Sequence, residues 1–387
     1  MIEISQQQQH EADDSLEISP LYLEANDSRH DGRHHRPWTA KRSAGLALRT
    51  ALRYSPLLLN IAAWYFSNGM HGIAMQSFSK SIVLGTRNNL AVTAAITSMI
   101  SSLQLLLGAL LGFIMISIFS TFVSADPTRR VSFRRSETYL AVLHGIGSVC
   151  TNLGFMYGSA SLIQIIKLLE PFETLFLTKI LMPAAESNRL SLGVVCSTTF
   201  TVGAAISLIQ NRTTPPQAHA VFFAVSSGIT LSSRNVLQRR QHLDNSATCE
   251  SKLSQAYKLE RSLLQFIHLS LQSGVAIGVA SVLLNVHLFN TDPDHLESVV
   301  VLLSHGINWR VLTWHPLYNA FSMIMLGFCS ALTHSLLNAG KRVFAIGMAI
   351  VWFGESRSMA TVASLGAVAI GGCWYAVESK ANTKARQ

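Results

Sequence analysis

Lys341 and Arg342 are adjacent cations inside an apolar run, THSLLNAGKRVFAIGMAIVWFG (Thr333 to Gly354), and Lys167 lies in a second run, SLIQIIKLLEPFETLFLTKILM (Ser161 to Met182). A cation near the middle of a lipid-spanning helix costs about 2.5–3.5 kcal/mol on insertion scales, so it faces a partner or a water-filled path. Arginine offers a planar fork of donors that suits phosphate oxygens, and lysine a compact point charge. The three together predict a binding site for an anion such as a phosphate monoester. A purely structural reading pairs Lys167 with Glu170 at i, i+3 on one helix face. It leaves Lys341-Arg342 without an acid nearby in the sequence, and Glu170-Pro171 is also a helix-kinking signal. Two more cations, Lys179 and Arg234, fall inside apolar spans but near their ends, where snorkelling to headgroups is the alternative.

The elements that hold these residues are read from composition. Of 387 residues 49% are hydrophobic and only 13% charged, and mean hydropathy is +0.31. A soluble chain carries roughly twice that charge. Apolar stretches of about 18 residues or more read as membrane helices. The pattern predicts an all-α polytopic membrane protein of ten spans, at roughly 55–76, 91–120, 137–156, 160–182, 190–210, 216–238, 263–289, 311–333, 334–354 and 358–378. The second is too long to be untilted, and the boundary between the eighth and ninth is poorly marked. The five cysteines (Cys150, Cys196, Cys249, Cys329, Cys373) form no C-x-x-C pair, so neither a disulfide framework nor a zinc site is indicated.

Residues 1–54 differ. They are polar and first acidic (Glu3, Glu11, Asp13, Asp14, Glu17, Glu24, Asp27), then basic before the first span, which reads as a disordered cytosolic tail. Neither a cleavable signal nor a transit peptide is evident in that composition. His30, His34 and His35 read as part of the solvated tail rather than a metal site. With these spans, one side of the membrane collects Arg36, Lys41, Arg42, Arg129, Arg130, Arg134, Arg135, Arg189, Arg239, Arg240 and Lys252, and also the tail 381–387. The other side holds only Lys80, Arg87, Arg212, Arg310 and Arg357. The positive-inside rule then puts both termini in the cytosol. The basic balance faces anionic lipid, with no aromatic-interleaved groove to suggest nucleic acid.

The chain also repeats. The stretch from Lys167 and the stretch from Asn338 share a pattern in which a charged span, a Glu-Ser turn (Glu186-Ser187, Glu355-Ser356) and a small-residue-rich span follow one another. The turns are the fourth and ninth links, so they lie on opposite sides of the membrane. This predicts two five-helix repeats of inverted topology, 55–210 and 216–380, with substrate at their interface. Gly145, Gly147, Gly340 and Gly347 flank the charged positions, where small residues allow close helix approach.

Particular residues resemble a known family. Leu317-Tyr318-Asn319, then Thr333-His334, Asn338, Lys341-Arg342-Val343-Phe344, Ile346-Gly347 and Phe353-Gly354 are similar to the second-half signature of the plastid-type sugar-phosphate/phosphate translocators. These form the triose-phosphate transporter family of the drug/metabolite transporter superfamily. In the first half His144-Gly145-x-Gly147, Thr151-Asn152, Lys167-x-Leu169-Glu170-Pro171-Phe172 and Arg234-Asn235 match in order and spacing. The resemblance implies an antiporter exchanging phosphorylated metabolites for inorganic phosphate by alternating access. In it Lys167, Lys341 and Arg342 clamp the phosphate, Thr151 and Tyr318 donate hydroxyl hydrogen bonds, and Arg234 and Asn338 belong to the same motif set. Alone, Tyr318 reads as an interfacial anchor and Thr151 as a packing hydroxyl. Ser148 stands where the plastid proteins carry a substrate-pocket histidine, and Gln164 replaces another. That changes what meets the carbon end of the substrate and puts triose phosphate itself in question.

A nucleotide-sugar transporter of the same fold is the main rival. A membrane-embedded enzyme or receptor is a distant one, because no carboxylate pair, nucleophile with base or metal-ligand spacing falls in the spans. No catalytic residue, cofactor or metal is expected; the expected partners are the phosphorylated solute, inorganic phosphate and lipid. An endomembrane (Golgi or ER) or the outer plastid membrane is the expected location.

Overall fold

The computed structural model describes residues 40–86, 89–122, 138–182, 191–210, 215–246, 255–291, 309–329, 331–355 and 358–384. All of these are helix or short connections between helices. In chain order the helices are α1 (Ala40–Thr86), α2 (Leu90–Phe122), α3 (Thr138–Tyr157), α4 (Ala160–Ile166), a 3-10 turn (Lys167–Leu169), α5 (Glu170–Leu181) and α6 (Leu192–Gln210). They continue with α7 (Ala218–Ser246), α8 (Gln255–Thr291), α9 (Trp309–Phe328), α10 (Ala331–Phe353) and α11 (Met359–Lys384). The chain divides into two units, Met1–Ala63 and Trp64–Gln387. In the first, the described part is the opening of α1. It begins at Ala40, inside the stretch expected to be a disordered tail, and residues 1–39 with their histidines lie outside the described residues. The remainder of α1 and all later helices belong to the second unit.

Six helical stretches among the described residues are long and apolar enough to cross a membrane: Leu90–Phe119, Thr138–Tyr157, Leu192–Gln210, Ala218–Gln241, Leu259–Thr291 and Thr333–Phe353. The described residues are all-α, and their several apolar helices mark a polytopic membrane protein. Its helices are amphipathic the wrong way round for water. On α5, Glu170, Thr174 and Thr178 are buried at i, i+4, i+8, whereas Phe172, Phe176 and Ile180 face outward, 50%, 59% and 60% exposed. Polar groups turned inward and aromatic groups outward suit a lipid surround. Lys179 is exposed, as snorkelling requires.

Two sequence features shape the fourth span. Pro171 lacks an N–H, and its ring clashes with the carbonyl four residues back, which is that of Lys167. The chain answers by tightening: Lys167–Leu169 form a 3-10 turn in which the Glu170 N–H bonds to the Lys167 carbonyl. Lys167 therefore stands at a break between α4 and α5, not on a continuous helix. The boundary expected near 333/334 is corrected. α9 ends at Phe328, where the Cys329 thiol caps the Met325 carbonyl at 3.1 Å, and α10 starts at Ala331.

Packing is layered along α3 and α9. Leu140, Ala141, Ala320 and Met323 join one apolar cluster, and Leu153, Phe155, Met156 and Val311 join another. Between them on the same helices lie the buried polar residues His144, Ser148, Thr151, Asn152, His315 and Asn319. The polar band is thus at mid-helix, closed above and below by apolar side chains. α2 packs on α8, α3 on α7, α6 on α11, and α10 on α4 and α5.

Candidate functional site

The cations meet in that band. Lys167, Lys341, Arg342 and Arg234 are 5%, 4%, 5% and 4% exposed. Such burial of four cations in one core demands compensation. Some of it comes from Glu170. Arg342 Nη2 donates to Glu170 Oε2 in a salt bridge, and Asn338 Nδ2 donates to Glu170 Oε1 at 2.6 Å. Arg342 Nη1 also donates to Gln164 Oε1 at 3.1 Å, while its Nε has no partner among the described residues. The sequence reading left Lys341-Arg342 without a nearby acid and offered Lys167 as the partner of Glu170. Both points are corrected: the break at Lys167 turns Glu170 towards α10, so the pair forms across helices.

The two lysines have weaker partners. Lys167 Nζ donates to Thr151 Oγ1 at 2.5 Å, a neutral hydroxyl. Lys341 Nζ lies over two ring faces, 4.7 Å from the centroid of Trp64 and 5.5 Å from that of Tyr318. Cation–π contacts contribute about 0.5–2 kcal/mol, less than charge-assisted bonds to a phosphate oxygen. Thr151 also donates to the Gly147 carbonyl (2.8 Å) and pairs with Ser227 Oγ (2.6 Å). α3 and α7 touch here because Gly147 has no side chain: a Cβ there would come within 2.7 Å of Leu231. Gly347 has open space around it and serves no such contact.

The structure therefore brings Thr151, Lys167, Tyr318, Asn338, Lys341 and Arg342 into one cluster. Arg234 belongs to an adjoining set: it donates through Nη1 to His144 Nδ1 (2.7 Å) and through Nη2 to Asn235 Oδ1 (2.6 Å). It faces inward and does not snorkel. Ser148 donates to the His144 carbonyl (2.8 Å) within its own helix. Sequence reasoning missed Trp64, His71 and His315. The last two pack ring against ring at 5.2 Å, and each touches Tyr318. Aromatic residues in apolar helices look like packing, so only their spacing along α1 could have singled Trp64 and His71 out.

Known proteins are similar to this chain in sequence. The chain is 28% identical over 222 residues to a phosphoenolpyruvate/phosphate translocator 2 of Arabidopsis thaliana chloroplasts, covering 55% of this chain and 52% of the relative. It is 28% identical over 252 residues to a triose phosphate/phosphate translocator of Brassica oleracea var. botrytis chloroplasts, covering 64% and 57%. The matched stretch thus spans little more than half the length of either relative. A crystal structure aligns with 82% of this chain and 98% of its own at 10% identity, with a TM-score of 0.48. The profile of the Triose-phosphate Transporter family extends over residues 56–376, which takes in every charged residue of the cluster, and the chain belongs to that family.

Proposed function

We propose that the protein is a secondary transporter that exchanges phosphorylated small metabolites for inorganic phosphate by alternating access. The observation that carries this reading is the set of underpaired cations from separate parts of the chain, Lys167 at the α4–α5 break and Lys341 with Arg342 on α10. Formally, the four buried cations Lys167, Arg234, Lys341 and Arg342 stand against two acidic residues of α5, Glu170, which pairs with Arg342, and Glu173, which accepts from Ser232 Oγ at 3.4 Å. Two positive charges are left, the charge that a phosphate monoester dianion neutralises. The dianion would replace a hydroxyl at Lys167 and ring faces at Lys341, and would take up the open Nε of Arg342.

Exchange follows from the same charges. Moving uncompensated cations through a closed, low-dielectric state is costly, whereas the filled site is neutral. Both chloroplast relatives are phosphate translocators by name, which supports this reading. Ten membrane helices in two inverted five-helix repeats, with both termini cytosolic, complete the proposal. Its support is that α2 packs on α8, α4–α5 on α10 and α6 on α11, each a pair of equivalent helices in the expected order of two repeats.

The test is counter-exchange in proteoliposomes loaded with phosphate, against a panel of sugar phosphates, phosphoenolpyruvate and nucleotide-sugars. Labelled phosphate should exchange with phosphorylated metabolites in the wild type, and Lys341→Ala should lower the rate on the order of a hundredfold. Uptake of nucleotide-sugars without phosphate exchange, or normal exchange by the variant, would refute it.

A further inference from the structure

α10 ends in a turn that places a carboxylate. Past Phe353, Gly354 takes a left-handed backbone (φ 64°), and the Glu355 N–H turns back to the Ile350 carbonyl at 3.1 Å. This is the Schellman closure of a helix, which glycine enters without the strain that a side chain brings. The turn leaves Glu355 beside the first turn of α4, where its Oε2 accepts from Ser161 Oγ at 2.5 Å. Ser161 is 1% exposed and Glu355 half-buried, and Glu355 makes no ion pair among the described residues.

The α4 side of the contact is fixed in place. Ser159 caps α4 by accepting from the Leu162 N–H at 3.3 Å, and Gln76 of α1 accepts from the Ala160 N–H at 2.8 Å. Ser79 of α1 donates to the Met156 carbonyl at 3.0 Å. Phe155, Met156, Tyr157, Ala160 and Ile163 close this end of the polar band as part of one apolar cluster. α4 and α10 are also the elements of the cation cluster, since α4 leads into Lys167 and α10 carries Lys341 and Arg342. Arg342 meets Gln164 of α4 at 3.1 Å, and Ser161, earlier on α4, meets Glu355, beyond the end of α10. The two helices are therefore tied twice, once at the cluster and once at this mouth, and they cannot part at the mouth while Ser161 holds Glu355.

We propose that Ser161 and Glu355 form a latch that keeps this mouth of the site shut between turnovers. The inference rests on the exchange reading and adds to it the contact that must break when solute enters or leaves on that side. The chemistry suits a latch. A hydroxyl bonded to a carboxylate is stronger than a neutral pair, yet it is a single bond, with no opposite charge to make its rupture prohibitive. One such bond biases the mouth towards closure on the order of ten- to a hundredfold. Its two ends sit on α4 and α10, so a solute that shifts those helices at the cluster acts on the latch directly.

The experiment measures two rates on full-length protein in phosphate-loaded proteoliposomes: phosphate–phosphate exchange, and efflux into buffer without a counter-anion. The variants are Ser161→Ala, Glu355→Ala, their double variant, the conservative Glu355→Gln, and Gly354→Ala, which keeps the carboxylate but strains the turn that places it. In Ser161→Ala and Glu355→Ala the ratio of exchange to efflux should fall about tenfold, because efflux rises while exchange is kept. The double variant should fall no further than either single one, since both remove the same contact. Glu355→Gln, which still accepts from Ser161, should lose less, and Gly354→Ala should reproduce part of the fall. An unchanged ratio, multiplicative losses in the double variant, or loss of exchange without a rise in efflux would overturn the latch and leave the exchange reading standing. Absence of phosphate–phosphate exchange in the wild type would refute that reading, and the latch with it.

Discussion

Glu170 is the residue on which the charge balance of the cluster depends. It accepts from Arg342 and Asn338 at once, so its removal leaves a buried guanidinium without its counter-charge. Breaking such a pair costs about 3–5 kcal/mol. Glu170→Gln should therefore unfold at a lower temperature than the wild type in phosphate-free detergent. Added phosphate supplies the missing negative charge, so it should raise the Tm of the variant more than that of the wild type. Equal Tm values without phosphate would show that the pair is not stabilising. Lys167, Lys341 and Arg342 were legible in the sequence because a cation in an apolar run is too costly to lack a purpose. The partner of Glu170 was not, because proximity in sequence favours Lys167 and only the three-dimensional break turns the carboxylate towards α10. Trp64 and His71 escaped notice for another reason: nothing in a sequence shows which rings of a helix will meet a buried ammonium or the tyrosine beside it.

At the scale of elements, two contacts set where the cluster lies. The first is Gly147, where α3 and α7 approach closely enough for Ser227 to donate to the Gly147 carbonyl at 2.9 Å. Gly147→Val forces Leu231 and α7 away, and should destabilise the protein by about 1–3 kcal/mol, read as a lower midpoint of thermal unfolding. No change would mean that the helices have room to spare. The second is the break at Lys167. Pro171→Ala restores the N–H and removes the clash, so α4 and α5 can run on as one helix. The variant should be at least as stable as the wild type yet exchange phosphate much more slowly, because Lys167 rotates off Thr151. Wild-type exchange would sever the kink from function. The Glu170-Pro171 dipeptide signalled this kink. Its tightening into a 3-10 turn one residue upstream follows from the carbonyl that Pro171 would strike, which a reading of apolar runs does not reach. Similarly, no glycine-proline break marks the end of α9 at Phe328, and the expected boundary fell too late.

At the scale of the whole molecule, every cation of the cluster is buried, and the proposed cycle must open a path to it. One end is held between halves of the chain, where Ser161 Oγ donates to Glu355 Oε2 at 2.5 Å. In an obligatory exchanger the empty site crosses slowly. Efflux of phosphate from loaded vesicles into buffer without a counter-anion should run on the order of a hundredfold slower than exchange, for about 3 kcal/mol of uncompensated charge. Equal rates would mark a uniporter or channel. The class of the protein, and the six helices among the described residues that are long and apolar enough to cross a membrane, could be read from hydropathy alone. The central claim is narrower, namely that cations from α4–α5 and from α10 hold one anion together. It is tested most directly by the affinity for phosphate of the wild type, Lys167→Ala, Lys341→Ala and the double variant, measured by calorimetry on purified protein. Groups that share one ligand are coupled, so each single variant should weaken binding on the order of a hundredfold, and the double variant by far less than the product of the two. Independent, multiplicative losses, or a single variant that binds phosphate as the wild type does, would contradict it.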